Sequence, residues 1–223
     1  MRHLIVVAHP DDEVLGAGGY INKLVKEGKE VAVATMANHA AARADISSTL
    51  VSDQAEAMKI LGVTKTYTAD FPNIQMNTVP HLKLVQFIES CIEDFGADAI
   101  ITHHPSDTNN DHVMTSLAAQ AASRLFQRKE GVPPLKRLLY MEVPSSTEWS
   151  FDSSSNRFTP NHFVKIGKEG VNIKLEALAA YKGVMREYPH PRSAEAIKGL
   201  AAYRGVQAGV SYAEAFESVF FRT

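Results

Sequence analysis

Apolar positions along this chain fall into two kinds of run that take turns. Leu4 to Ala8 is a short unbroken apolar stretch stopped by Pro10, the pattern of a strand buried on both faces of a parallel sheet. Leu15, Gly18, Ile21 and Val25 then recur at helical spacing within Val14 to Val25, with Gly28 placed to cap the helix. Val31, Val33 and Thr35 alternate within Glu30 to Met36 and predict a second strand. Ala37 to Thr49 keeps neither period and is expected to be a loop near the rim of the sheet. Val51, Ala55, Met58 and Leu61 predict a helix closed by Gly62, Lys65 to Asp70 a short strand, and Phe71 to Asn77 a run of turns. Leu82, Val85, Ile88, Ile92 and Phe95 form the clearest amphipathic stripe, capped by Gly96, and Ala97 to Thr102 follows as a fourth buried strand. Beyond it, Lys136 to Val143 and His162 to Ile166 read as strands and Pro144 to Asn161 as a long polar loop. Asn172 to Arg186 and Ser193 to Ala208 read as helices, separated by Tyr188-Pro189-His190-Pro191.

Strands taking turns with helices predict an α/β protein with a parallel sheet and helices on both faces. The 223 residues, 45% of them apolar, suffice for one substantial core, so residues 1–223 are expected to form a single domain. Its C-terminal third reads as an elaboration covering the site. A net charge of -2 without a basic stripe argues against nucleic acid as a partner. Cys91 is the single cysteine, which excludes a disulfide framework and a thiolate metal cluster and fits a reducing compartment. The first apolar run is too short for a signal peptide, and no run approaches a membrane span; a soluble cytoplasmic protein is expected.

Ligands of open parallel sheets bind outside the carboxyl ends of the strands, and two strand exits here carry dense polar clusters. The first is His9-Pro10-Asp11-Asp12-Glu13. The second runs from His103 and His104 through Pro105, Ser106, Asp107, Thr108, Asn109 and Asn110 to Asp111 and His112. A catalytic zinc takes three N or O ligands and keeps one position open, a count that His9, Asp12 and His112 satisfy. Zinc lowers the pKa of its water to roughly 7. A carboxylate next to a ligand, here Asp11, is then free to accept the water proton. The ligand set also suits iron(II) or cobalt(II), so Zn2+ is the first expectation and Fe2+ or Co2+ the alternatives.

These residues give the chain a resemblance to the PIG-L, or LmbE-like, family of zinc-dependent N-deacetylases. The family's first motif is present unchanged as Ala8 to Glu13, and the Asp-His end of its second motif is matched by Asp111 and His112. Pro191-Arg192-Ser193, Arg204-Gly205 and Ala213 to Phe216 are similar to segments of relatives associated with sugar modification. The resemblance implies a Rossmann-like fold and hydrolysis of an N-acyl group, commonly acetyl, from an amino sugar, glycoside or sugar nucleotide. It implies His9, Asp12 and His112 as metal ligands, Asp11 as general base and Asp111 as the residue that orients a ligand or the base. Members are often oligomeric, so a homo-oligomer is expected. One departure stands out: where many relatives have a histidine three residues before the last ligand, this chain has Asn109. Asparagine can donate to an oxyanion but cannot deliver a proton. The leaving-group acid is then Asp11 acting twice, water, or one of His104, Asp107 and His190. A substrate-contacting arginine found in some relatives near the start of the second helix is replaced by Leu50, with Arg43 as a substitute.

Other residues carry two readings each. Arg192 and Arg204 are either surface or ion-paired charges, or they recognise an anionic group such as a phosphate or uronate. His190 lines the site or orders a loop, as do His104 and Asp107, and Glu142 stands at a strand end. His103 reads as structural. Trp149 stacks on a sugar face or simply packs. Gly16, Gly18 and Gly19 suit close helix packing better than a dinucleotide loop, because the acidic cluster before them repels a pyrophosphate. Alternatives to deacetylation are a metal-dependent amidase or phosphoesterase, or an inactive sugar-binding relative.

Overall fold

A computed structural model of the chain describes residues 1–37, 50–151 and 157–223. The Arg43 expectation, and all but the first residue of the loop expected over Ala37 to Thr49, lie outside them. Five strands run parallel: β1 (Arg2–Val7), β2 (Glu30–Thr35), β3 (Lys65–Thr68), β4 (Ala99–His103) and β5 (Arg137–Met141). Two more, β6 (His162–Lys165) and β7 (Ala213–Phe221), extend the sheet beyond β5: β7 pairs antiparallel with β5, and β6 pairs antiparallel with β7. The order is β3-β2-β1-β4-β5-β7-β6. All seven strands belong to one mostly parallel sheet, as expected for the fold class.

The chain steps outward from β1 through β2 to β3, then returns to β1's other side to start β4. The strand order therefore reverses between β1 and β4, and a crevice opens there at their carboxyl ends. Leu4 and Val6 point into one core layer with Ala32, Ala34, Ile100 and Leu138; Ile5 and Val7 point into the other with Val33, Ile101 and Leu139. Residues buried on both faces are why β1 reads as an unbroken apolar run. Helices α1 (Asp12–Lys26), α2 (Leu50–Leu61) and α5 (Gly167–Ala180) cover the second layer; α3 (His81–Phe95) and α4 (Asn110–Ala122) cover the first; α6 (Ala194–Gln207) packs beside β7. No described helix is long and apolar enough to cross a membrane.

Three elements differ from the pattern-based expectation, each for a physical reason. The apolar pattern does not predict helix α4, because its buried positions are Asp111, His112, Thr115, Ser116 and alanines rather than a stripe of large apolar residues. Strand β7 stands out in the sequence only as a segment shared with relatives; it is a strand whose Phe216 is fully buried. Helix α5 begins five residues earlier than Asn172 and ends six before Arg186. One of its buried positions is Lys174, which breaks the apolar stripe. The Lys174 ammonium pairs with Glu214 at 2.7 Å, and Glu214 also accepts the Gly19 and Tyr20 backbone N–H groups at 3.0 and 2.6 Å. This cluster ties α1, α5 and β7 together and satisfies both buried charges. A Cβ at Gly19 would lie 2.8 Å from Ile166 Cδ1, so the glycine permits close packing of α1, as expected.

Candidate functional site

The site grows from the two strand exits at the crevice. Past Val7, the Ala8 carbonyl still accepts the Ala37 N–H (3.0 Å) on the β2 side. On the β4 side the backbone ladder has ended, and the Ala8 N–H donates instead to His103 Nε2 at 2.9 Å. The chain then turns sharply at Asp11, whose φ of 109° is a left-handed conformation that a non-glycine residue adopts only under constraint. Glu13 supplies that constraint. Its Oε2 accepts the Asp11 N–H (3.1 Å) and its Oε1 accepts the hydroxyl of Tyr181, at the end of α5. Asp11 stands at the N-cap of α1 but makes no side-chain capping bond, so its carboxylate is left for another task.

Helix α4 brings the second cluster to the same place. Asn109 caps it, its side-chain oxygen accepting the Asp111 N–H at 2.9 Å. This presents His112 one turn in, facing Asp12. His9 Nδ1, an Asp12 carboxylate oxygen and His112 Nε2 come together: the His9 and His112 nitrogens lie 3.2 and 3.3 Å from Asp12 Oδ2, and one ligand atom from each residue lies within 4.8 Å of the others. Behind each histidine stands a carboxylate on the remaining ring nitrogen. Asp111 Oδ2 lies 3.1 Å from His9 Nε2, and Asp107 Oδ2 lies 3.2 Å from His112 Nδ1. Both carboxylates are themselves held. Asp111 accepts the Ile74 and Met76 N–H groups (2.5 and 3.0 Å); Asp107 accepts the hydroxyls of Ser146 and of Thr147 (2.7 Å for Thr147) and the Asn109 N–H (2.8 Å). Two imidazoles, one carboxylate and two orienting carboxylates are the donor set of a zinc-type site with room for further ligands.

The electrostatics fit a place made for a cation. Burial opposes charge on His9, but hydrogen bonds from Asp111 and Asp12 outweigh it and lift its pKa to about 9. For His112 burial is likewise outweighed, by the Asp12 charge and the Asp107 hydrogen bond, and the pKa rises to about 10. Burial also opposes ionisation of Asp12, yet His112 and His9 hold it well below the ordinary carboxylate range. Both shifts favour positive charge on His9 and His112 when no metal is bound. Loading the site with Zn2+ is therefore expected to release protons, and affinity is expected to fall as pH drops from 9 to 6, by about one decade per unit for each proton displaced. Calorimetry in buffers of different ionisation heat counts those protons; zero released at pH 7 contradicts the assignment. Asp11 behaves differently. Burial pushes it up to about 7, against the pull of Arg192, whose Nη1 donates to Asp11 Oδ2 at 3.0 Å.

The His9-Asp12-His112 cluster opens into a cavity of about 680 Å³. Of the residues expected at a site, His9, Asp11, Asp12, Asn109, His112, His190 and Arg192 line it. Asp111 and Asp107 sit beneath, against the histidines. His104 is buried away from the cavity, its ring against Tyr140 and Phe158 and its Nε2 3.4 Å from Glu217; neither it nor Asp107 is placed to touch a substrate. Arg204 lies outside as well. Its guanidinium forms a two-pronged pair with Glu142 (2.7 and 2.6 Å), joining α6 to the end of β5. Trp149 is exposed and packs against Phe151.

Sequence reasoning passes over four contributors. His103, read as structural, is fully buried and stacks on His112 with ring centroids 3.9 Å apart. One side chain thus links the β1 exit to His112 of α4, and its place on the same strand face as Ile101 was the available signal. Glu13 is part of the motif, but its task of holding Asp11 depends on a tyrosine far along the chain. Ser146 and Thr147, from the polar loop, leave no signal at all.

A mostly parallel α/β sheet with a His-Asp-His cluster at its switch point is an α/β scaffold whose crevice carries a group of side chains able to hold a metal ion. Comparison with known proteins identifies the family: residues 4–123 match the family model of PIG-L, GlcNAc-PI de-N-acetylase, and the chain belongs to that deacetylase family. It is 28% identical over 188 residues to the uncharacterized deacetylase YaiS of Escherichia coli K12, covering 80% of this chain and 89% of the relative. Its fold is similar to N,N'-diacetylchitobiose deacetylase from Pyrococcus horikoshii (TM-score 0.80, 19% identity, 98% of this chain and 83% of the other). It is equally similar to GalB, the 4-carboxy-2-hydroxymuconate hydratase of Pseudomonas putida KT2440 (TM-score 0.80, 20% identity, 100% and 98%).

Proposed function

We propose that this protein is a metal-dependent N-deacetylase that removes an acyl group, in the first instance acetyl, from an amino sugar, its glycoside or a sugar nucleotide. One observation carries the reading: a carboxylate unused by capping, Asp11, stands next to the His9-Asp12-His112 cluster inside the cavity, with its pKa raised into the neutral range. A zinc ion held by His9, Asp12 and His112 would supply Lewis acidity, acidifying water and polarising the acyl carbonyl.

The chain's own groups divide the remaining work. A pKa of about 7 suits Asp11 to take a proton from the attacking water at neutral pH. Asn109 has its orientation fixed by the helix it caps: with the side-chain oxygen engaged by the Asp111 N–H, the Nδ2 amide is the group left to donate into the cavity. It is suited to stabilise the oxyanion as the new C–O bond forms. When the C–N bond breaks, the departing amine needs a proton. His104 and Asp107 do not line the cavity, and His190 stands exposed at its edge, so Asp11 returns the proton it took. Acetate and a free amine leave.

Replacing Asn109 by Ala is expected to lower kcat by about a hundred- to a thousandfold, the usual weight of one oxyanion donor. Asn109→Asp restores the cap without the donor and should be as slow; steady-state kinetics that show the Asn109→Asp variant at full rate would remove Asn109 from this role. The function itself is tested by incubating metal-loaded protein with a panel of N-acetyl amino sugars and sugar nucleotides and measuring acetate and free amine together. Equal amounts of both are expected. Because the same fold also supports a hydratase, conversion of a substrate without acetate would point elsewhere.

A further inference from the structure

The charge lining the cavity is lopsided. Its carboxylates among the described residues are Asp11 and Asp12, both committed: Asp11 to Arg192, Asp12 to the two ligand histidines. The lining from the loop after β3 and the start of α4 is uncharged apart from His112, with Asn73, Thr108 and Asn109 prominent. The segment between α5 and α6, in contrast, contributes Lys182, Arg186 and Arg192. Arg192 is occupied by Asp11 and by Ser145, whose Oγ accepts from Nε at 2.7 Å. The other two are held less tightly. Lys182 makes only a long ion pair with Asp53, at 3.9 Å, and its side chain stays 70% exposed. Arg186 has no ion-pair partner among the described residues, and its backbone N–H donates to the Arg192 carbonyl at 3.4 Å, which holds both arginines on one turn.

Apart from Asp53, the described acids of this region make no ion pair with them. Glu187 is exposed beside Arg186, and Glu148 is engaged by the Ser145 and Ser146 N–H groups. His190, which also lines the cavity, accepts the Arg192 N–H on Nδ1; burial and the charges of Arg192 and Arg186 hold its pKa below the ordinary value, against the pull of Glu148. Cations that face a cavity unpaired, like Arg186, or loosely paired and exposed, like Lys182, can recognise an anion, and a guanidinium does so with two parallel donors.

We propose that the outer part of this cavity is an anion subsite, in which Arg186 with Lys182 holds a phosphate or carboxylate carried by the N-acyl substrate. The inference rests on the deacetylase reading for what occupies the inner part, and it narrows the substrate to an anionic amino-sugar derivative. The volume of about 680 Å³ accommodates a hexosamine with such a substituent.

The test compares N-acetylglucosamine with its 1-phosphate, its 6-phosphate and an N-acetylated uronate, measuring both Kd and acetate release by zinc-loaded protein. At least one anionic compound is expected to be favoured over the neutral sugar by roughly tenfold to a hundredfold, with the preference shrinking as salt is raised. The position and type of the favoured anion distinguish phosphate from carboxylate. In the double variant Arg186→Gln, Lys182→Gln the ratio of anionic to neutral binding is expected to fall to near one. Neutral and anionic sugars bound alike by the wild type, or a preference that survives in the double variant, would overturn the subsite. Binding that shows the preference while no compound releases acetate would leave the subsite standing and remove the deacetylase reading instead.

Discussion

Asp11→Asn is expected to lower kcat for deacylation by about a hundred- to ten-thousandfold, the range spanned by a general acid-base group, while KM moves little and metal content stays the same. The substitution keeps the shape of the side chain and an oxygen for Arg192 Nη1, now 3.0 Å from Asp11 Oδ2. It leaves the ligand cluster untouched, because Asp11 is not among the three residues whose donor atoms converge. What it removes is the basic oxygen next to that cluster. The effect should fall at the large end if Asp11 both takes and returns the proton, since Asp12, the other carboxylate lining the cavity among the described residues, is engaged by His9 and His112. In the wild type, kcat should fall as pH drops through about 7, where Asp11 gains its proton and can no longer act as base. The variant should lack that limb. Full activity in Asp11→Asn with one metal per chain would exclude Asp11 as the base and leave a binding-only protein as the better reading only if the wild type were also inactive.

The second large effect concerns the metal itself. Asp12→Asn is expected to reduce bound zinc from about one per chain to near zero after dialysis against a weak chelator, with activity lost in parallel. Asp12 is the carboxylate on which both ligand histidines converge, it accepts the His9 N–H at 2.9 Å, and it is almost fully buried. Its negative charge is what raises His112 and contributes to raising His9, so in the metal-free variant both histidine pKa values should drop from about 10 and 9 towards the ordinary value near 6.5. Proton NMR of the histidine ring signals reads this directly. The metal-free variant should also be less stable at pH 7, by about 3–5 kcal/mol, the usual consequence of removing one partner from a buried ionic cluster. Metal analysis that finds stoichiometric zinc in Asp12→Asn would contradict the ligand assignment.

Much of this was legible before any coordinates, and the reason is specific. The switch-point strands β1 and β4 are buried on both faces, so they read as apolar runs, and the polar residues at their exits stand out because nothing else there needs to be polar. That is how His9, Asp11, Asp12 and His112 declared themselves. The alternation of strands and helices through β4 was equally plain. Where the chain stabilises itself with polar contacts instead of apolar stripes, the pattern failed. Helix α4 buries alanines, hydroxyls and ligands; α5 buries Lys174 against Glu214; β7 joins the sheet from the far end of the chain. Residues that act on the ligands from a distance in sequence were invisible for the same reason. Tyr181 steadies Glu13, and Ser146 and Thr147 steady Asp107, through contacts that no local spacing encodes. Arg204 shows the converse limit. Its two readings, an ion-paired charge or an anion contact, could not be separated in the sequence, because the Glu142 carboxylate that pairs with it stands at the end of a distant strand.

The most direct measurement is a metal titration of the reaction. Protein stripped of metal, supplied with an N-acetyl amino sugar found active in the panel, should release no acetate. Acetate and free amine should then appear in equal amounts as Zn2+ is added, rising linearly to a plateau at one ion per chain, with the Asp11→Asn protein binding the same ion and staying silent. Acetate release by the stripped protein at the full rate, or a plateau reached without any binding at His9, Asp12 and His112, would contradict a metal-dependent deacetylase built on these residues.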